Sequence, residues 1–131
     1  MIVREIMTPT PWVVEVTDSL RRAHARLLES DVRHLPVVNR GRLVGIISER
    51  DLPSDLITPG ARGGGDRGDR PVSNYMSSDV ISVSPESDLA EVIDLMLEHR
   101  IGAVPVVDLD GERLLGIVSY VDVLREARWR L

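Results

Sequence analysis

A chain of 131 residues is one ordinary domain by length, able to bury roughly two-thirds of its unfolded surface; its 43% hydrophobic and 28% charged residues are those of a globular protein. The net charge of −5 argues against general electrostatic binding to nucleic acid, and no run approaches the ~20 apolar residues of a membrane helix. With no cysteine, disulfides, thiol catalysis and thiolate metal sites are excluded, and a cytoplasmic location is the default expectation.

The opening "MIVREIMTPTP" carries Glu5 early and lacks an apolar stretch with a cleavage site, so no signal peptide is expected. Val13–Val16 reads as a short strand. Thr17 is the expected N-cap of a helix in which Leu20, Ala23, Leu27 and Leu28 recur at helical spacing. Leu35–Val38 and Leu43–Ile47, joined around Gly41, read as hairpin strands. "GIISERD", residues 45–51, ends in Ser-x-x-Asp, which announces a second helix. Pro53–Pro71 holds five of the ten glycines; a helical turn is expected at Ser54–Ile57 and a flexible tether over Gly60–Arg70. Val80–Val83 is the next strand. Ser84 is expected to cap the following helix, with Pro85 at its first position and Leu89, Val92, Ile93, Met96 and Leu97 as its apolar stripe. Val104–Val107 and Leu114–Val118 form a second hairpin around Asp110-Gly111, and "GIVSYVD", residues 116–122, starts a final helix over Ser119–Arg128.

These elements are a tandem repeat. Met7 matches Met76 and Pro36 matches Pro105 at an offset of 69 (76 − 7, 105 − 36), while Ser48 matches Ser119 and Asp51 matches Asp122 at 71 (119 − 48, 122 − 51). The two extra residues fall in the hairpin loop, where insertions are tolerated. Phenylalanine is absent, so the core must come from Leu, Val, Ile, Met and Ala. All 16 basic residues are arginine, so a phosphate would meet forked guanidinium groups.

Two copies of β-α-β-β-α, each with "hPVV" in its second strand and "G-h-h-S-x-x-D" at the end of its third, resemble a tandem pair of cystathionine-β-synthase (CBS) domains. "REIMTPTPWVVEVTDSL" and "VSNYMSSDVISVSPESDL" resemble the family's repeat openings. The resemblance implies an α/β (α+β) fold of two repeats, residues 1–56 and 72–131, joined by a glycine-rich linker over 57–71 and packed with pseudo-twofold symmetry. It further implies two clefts that bind AMP, ADP, ATP or S-adenosylmethionine as a regulatory ligand. Carried over by position, Ser48 with Asp51 and Ser119 with Asp122 would hold ribose and phosphate. The family's habits also imply a homodimer formed through helices and a regulated partner protein, with no catalytic cofactor.

Elementary chemistry agrees with that assignment. A carboxylate offers two acceptor oxygens to adjacent ribose hydroxyls, and a serine at a helix start stands beside unpaired N–H groups that favour phosphate. Arg33, His34 and Arg100 are candidate phosphate contacts, weighed against solvated helix ends. Trp12, Ile81, Pro36, Pro105, Ile47 and Val118 are candidates for the base cleft, with Ile46-Ile47 and Ile117-Val118 as its walls; Trp12 is weighed against simple packing. No catalytic constellation or metal-spaced cluster emerges, so a ligand sensor is expected rather than an enzyme. The alternative is a structural dimerisation module with empty clefts.

Overall fold

The computed structural model describes residues 1–30, 32–57 and 67–131, so most of the expected tether lies outside the described residues. The elements are β1 (Thr8–Pro9), β2 (Val14–Glu15), α1 (Leu20–Ser30), β3 (His34–Asn39), β4 (Arg42–Ser48), α2 (Ser54–Ile57), α3 (Leu89–His99), β5 (Ala103–Val107), β6 (Leu114–Ser119) and α4 (Tyr120–Arg128). They form two compact units, each a small sheet with helices: Trp12–Val80, and Met1–Pro11 together with Ile81–Leu131.

Those units cut the chain differently from its sequence repeats, because each repeat's opening arm belongs to the other unit. In the unit Trp12–Val80, β3 lies between β2, which is parallel to it, and β4, which is antiparallel. Beyond β4, Ser77 bridges Ile46 through two backbone hydrogen bonds of 2.9 and 3.0 Å. In the other unit β5 and β6 pair in the same way, β1 adds to β6 with Thr8 opposite Ile117, and Val83 bridges Val106. The arms also seat the helices. Leu20 N–H donates to Arg70 O and Leu89 N–H to Met1 O, both at 2.9 Å. Val72 and Val3, just beyond those acceptors along each arm, are fully buried.

This seating corrects both expected N-caps. Residues 15–18 make a turn in which Asp18 Oδ2 accepts from Glu15 N–H, and Ser19 Oγ, not Thr17, accepts from Arg22 N–H at the helix start. Ser84 likewise closes a turn with Ser87, and Asp88 caps α3 by accepting from Ala90 N–H at 3.0 Å. The expected strand Val80–Val83 shrinks to one bridged residue. Its counterpart in the first unit is extended by Val16 N–H donating to Val38 O, and the residue at that place in the second repeat is Pro85, which has no N–H to give.

The prolines of "HLPVV" and "AVPVV" are tolerated inside sheets for a related reason. Pro105 uses only its carbonyl, accepting from Val83 N–H at 3.1 Å, and the parallel pairing of β2 with β3 begins at Val37, just past Pro36. Both hairpins turn as their glycines require. Arg40 and Gly41 are left-handed (φ 54° and 84°) in a two-residue turn, and Gly111 (φ 74°) sits in the longer loop that holds the insertion. One core gathers Leu20, Leu27, Leu35, Val37, Ile47 and Val72; the other gathers Val3, Val92, Val104, Val106 and Val118. Each fully enclosed Leu or Val contributes about 1.5–3 kcal/mol.

Candidate functional site

The end of β4 and the end of β6 deliver the same turn. Asp51 Oδ2 accepts from Ser48 N–H (2.8 Å) and from Ser48 Oγ (3.1 Å); Asp122 Oδ2 accepts from Ser119 N–H (2.9 Å) and from Ser119 Oγ (3.1 Å). Each aspartate thus closes its own turn with one oxygen. Asp51 Oδ1 has no hydrogen-bond partner among the described residues, whereas Asp122 Oδ1 stands 3.6 Å from Arg125. A carboxylate anchored at one oxygen still carries a second acceptor, which suits a diol or another pair of neutral donors.

Beyond the two turns the chain takes different paths. Ser119 starts a nine-residue helix, with Asp122 N–H returning a 3.3 Å bond to Ser119 Oγ. After Ser48 there is a single 3-10 turn, Glu49–Asp51, where a continuous second helix was expected. Leu52 is extended (φ −75°, ψ 140°) and buried, because the residue before a proline avoids the helical region and Pro53 follows. The signal was present in the sequence as that proline.

The structure places the remaining candidates unevenly. His34 is half-buried at the start of β3, directly opposite Ser48 in the hairpin register. Arg33 is exposed beside it, and its carbonyl accepts from Glu49 N–H at 3.2 Å, tying the residue to the turn. Arg100 sits elsewhere, as the left-handed C-cap of α3 (φ 54°) with its N–H on Met96 O. By position the counterpart of Arg33 is Gly102 (33 + 69), whose carbonyl accepts from Tyr120 N–H.

Trp12 is 47% exposed, with Arg26 Cζ 5.5 Å from its ring centroid, a cation–π arrangement. Ile81 is its half-buried counterpart. Pro36 and Pro105 are buried. Ile47 and Val118 are fully enclosed in their cores, so they are packing residues in place of cleft walls. Strand alternation leaves Ile46 and Ile117 as the half-buried members of those pairs on the opposite face. Arg50, inside the signature itself, escaped the sequence reading as a candidate; it acts electrostatically on His34.

Burial holds His34 below the ordinary histidine value of 6.5, Asp51 opposes the shift, and Arg33 and Arg50 reinforce it. The unfolded chain therefore takes up the proton first as pH falls. This residue costs the fold nothing above the unfolded value and destabilises it progressively as pH drops below 6.5 toward the folded value. In urea titrations at about pH 7.5 and about pH 5.5, His34→Ala should lose less stability than the parent on acidification. An equal loss in both would remove His34 from the explanation.

Among the described residues no helix is long and apolar enough to cross a membrane, and no group of three or more His, Asp or Glu side chains could hold a metal ion. The chain matches the CBS domain family over residues 3–54 and 72–128. It is 31% identical over 121 residues to the CBS domain-containing protein YhcV of Bacillus subtilis (strain 168), covering 92% of this chain and 81% of that one. Among solved structures, it is similar to CBSX2 in complex with AMP (TM-score 0.83, 30% identity, 98% of this chain and 96% of the other). It is also similar to the CBS domain pair of protein MJ0100 in complex with 5′-methylthioadenosine and S-adenosyl-L-methionine (TM-score 0.82, 26% identity, 100% and 98%). Of several curated relatives named as enzymes, the chain spans only 14 to 23% of the length.

Proposed function

Because this chain belongs to the CBS-domain family, of which it carries two repeats, we propose that it is a regulatory module that binds an adenine nucleotide or related adenosyl ligand at its Ser–Asp turns. The observation that carries this reading is the duplicated turn itself, with both serines and both aspartates in place and each carboxylate closing its turn with a single oxygen. The adenosyl ligands of the two similar structures support the ligand class. Binding favours one conformational population over another, and a partner protein reads the shift. The module senses and does not catalyse; in relatives that are enzymes, the matching part is a minor share of the chain.

Calorimetric titration with AMP, ADP, ATP, S-adenosylmethionine and NAD tests the proposal. At least one should bind and stabilise the fold by RT ln(1 + [L]/Kd), raising the melting temperature accordingly. A flat trace with all five would defeat it. Exposed apolar side chains favour a second, compatible reading, assembly through helices. Leu28 on α1 and Leu97 on α3 are repeat counterparts (97 − 28 = 69) and are 71% and 73% exposed. If they seat a second copy, Leu28→Glu with Leu97→Glu should convert a sedimenting dimer to monomer. An unchanged sedimentation coefficient would discard those two contacts.

A further inference from the structure

The two turns share a backbone but not a chemistry. Glu49 N–H reaches Arg33 O at 3.2 Å and Tyr120 N–H reaches Gly102 O at 2.9 Å, while His34 faces Ser48 and Ala103 faces Ser119 in register. The four positions around each Ser–Asp pair are thus Arg33, His34, Glu49 and Arg50 in the first unit, and Gly102, Ala103, Tyr120 and Val121 in the second. Every ionisable group of the first set is replaced by a non-acidic, non-basic residue in the second, apart from the weakly acidic tyrosine.

Their electrostatic partners differ as well. Arg33 and Arg50 are exposed and make no ion pair among the described residues. The arginine at the second turn, Arg125, lies against Asp122 itself at 3.6 Å. In both turns the aspartate is already the anion on its serine N–H, Asp51 on Ser48 and Asp122 on Ser119, so neither N–H is left for a ligand. At the first, no long helix follows, so positive potential has to come from side chains, and two guanidinium groups supply it.

We propose that the two turns take different ligands: the turn of Ser48 and Asp51 binds a phosphorylated adenosyl ligand, its anion held by Arg33 and Arg50 beside His34, and the turn of Ser119 and Asp122 binds an adenosyl ligand without phosphate. The inference rests on the adenosyl reading above and adds the division of ligand class between the two units. His34, opposite Ser48 on β3 and flanked by Arg33 and Arg50, supplies a further donor to the anion. Tyr120 and Val121, both 43% exposed, offer apolar surface to the uncharged substituent at the second turn.

AMP and adenosine are the two probes, titrated calorimetrically into the full chain and into Asp51→Asn, Asp122→Asn and the triple variant Arg33→Gly/His34→Ala/Arg50→Val. The melting transition of each variant controls for folding, and the triple variant alters only exposed or half-buried positions. Asp51→Asn should abolish the AMP heat and spare that of adenosine; Asp122→Asn should do the reverse. The triple variant should weaken AMP on the order of tenfold, and AMP binding alone should weaken as salt rises from about 0.05 to about 0.3 M. Loss of both ligands in the same proportion in the two single variants, or an unchanged AMP affinity in the triple variant, overturns the division. A parent chain that binds neither probe, nor any nucleotide of the wider panel, overturns the adenosyl reading itself.

Discussion

Replacing both signature aspartates with asparagine should weaken adenosyl binding roughly 30- to 1,000-fold while leaving the fold almost untouched. The loss comes from what the second carboxylate oxygen does. A charged acceptor on a ribose hydroxyl is worth about 1.5–3 kcal/mol, and removing the charge forfeits most of it at each turn, about 2–4 kcal/mol in all once a diol is considered. Folding is spared because the amide oxygen of asparagine still accepts from Ser48 N–H and Ser119 N–H, the bonds that close each turn at 2.8 and 2.9 Å. Alanine at the same positions leaves those N–H groups unpaired and should cost about 0.5–2 kcal/mol of stability per turn, as other lost caps do. Comparing the two pairs of variants separates binding from capping. Undiminished affinity in the asparagine pair would leave the aspartates as caps and nothing more.

Gly116→Ala and Gly45→Ala are the changes with the largest expected effect on stability. A Cβ at Gly116 would lie 2.8 Å from Thr8 O and 2.9 Å from Met7 Sδ; at Gly45 it would lie 2.5 Å from Met76 Sδ and 2.9 Å from Ser77 O. A methionine end can swing aside, but a backbone carbonyl held in a sheet cannot, so the arm has to lift. Alanine in place of a strand glycine would ordinarily add stability by lowering the entropy of the unfolded chain. Here overpacking wins, by about 1–3 kcal/mol per site, or roughly 3–10 °C in melting temperature. Hydrogen exchange locates the damage. In Gly45→Ala the amides of Ile46 and Ser77 should lose protection while those of Leu35 and Val37, deep in the same core, keep most of theirs. Full protection at Ile46 in a folded Gly45→Ala protein would show that the arm accommodates the methyl.

The repeated seven-residue phrase thus serves three tasks. Its glycine admits the arm, its second β-branched residue fills the core, and its serine and aspartate build the turn. The serine and aspartate were legible because Ser-x-x-Asp after an apolar run is a local pattern, and its recurrence at a near-constant offset marked it twice. The glycine was legible only as a letter in the motif, since the arm it makes room for lies 31 residues further along the chain (76 − 45) or 109 residues before it (116 − 7). Ile47 and Val118 show the same limit. Alternation says that adjacent strand residues face opposite ways, but not which face is the core.

Taken alone, the sequence determined the local elements: the hairpins with their left-handed glycines, the apolar stripes of α1 and α3 except Leu28 and Leu97, which are exposed, the duplication, and the two Ser–Asp turns. Each of these depends on residues a few positions apart, where propensity and turn chemistry act. Only the tertiary structure decided where the helices start, why Ser19 and Asp88 rather than Thr17 and Ser84 cap them, and that each sheet is finished by the arm of the other repeat. Those outcomes depend on hydrogen-bond acceptors such as Met1 O and Arg70 O, which are brought to Leu89 and Leu20 from far along the chain by burying Val3 and Val72. No short window of sequence contains both partners of such a bond.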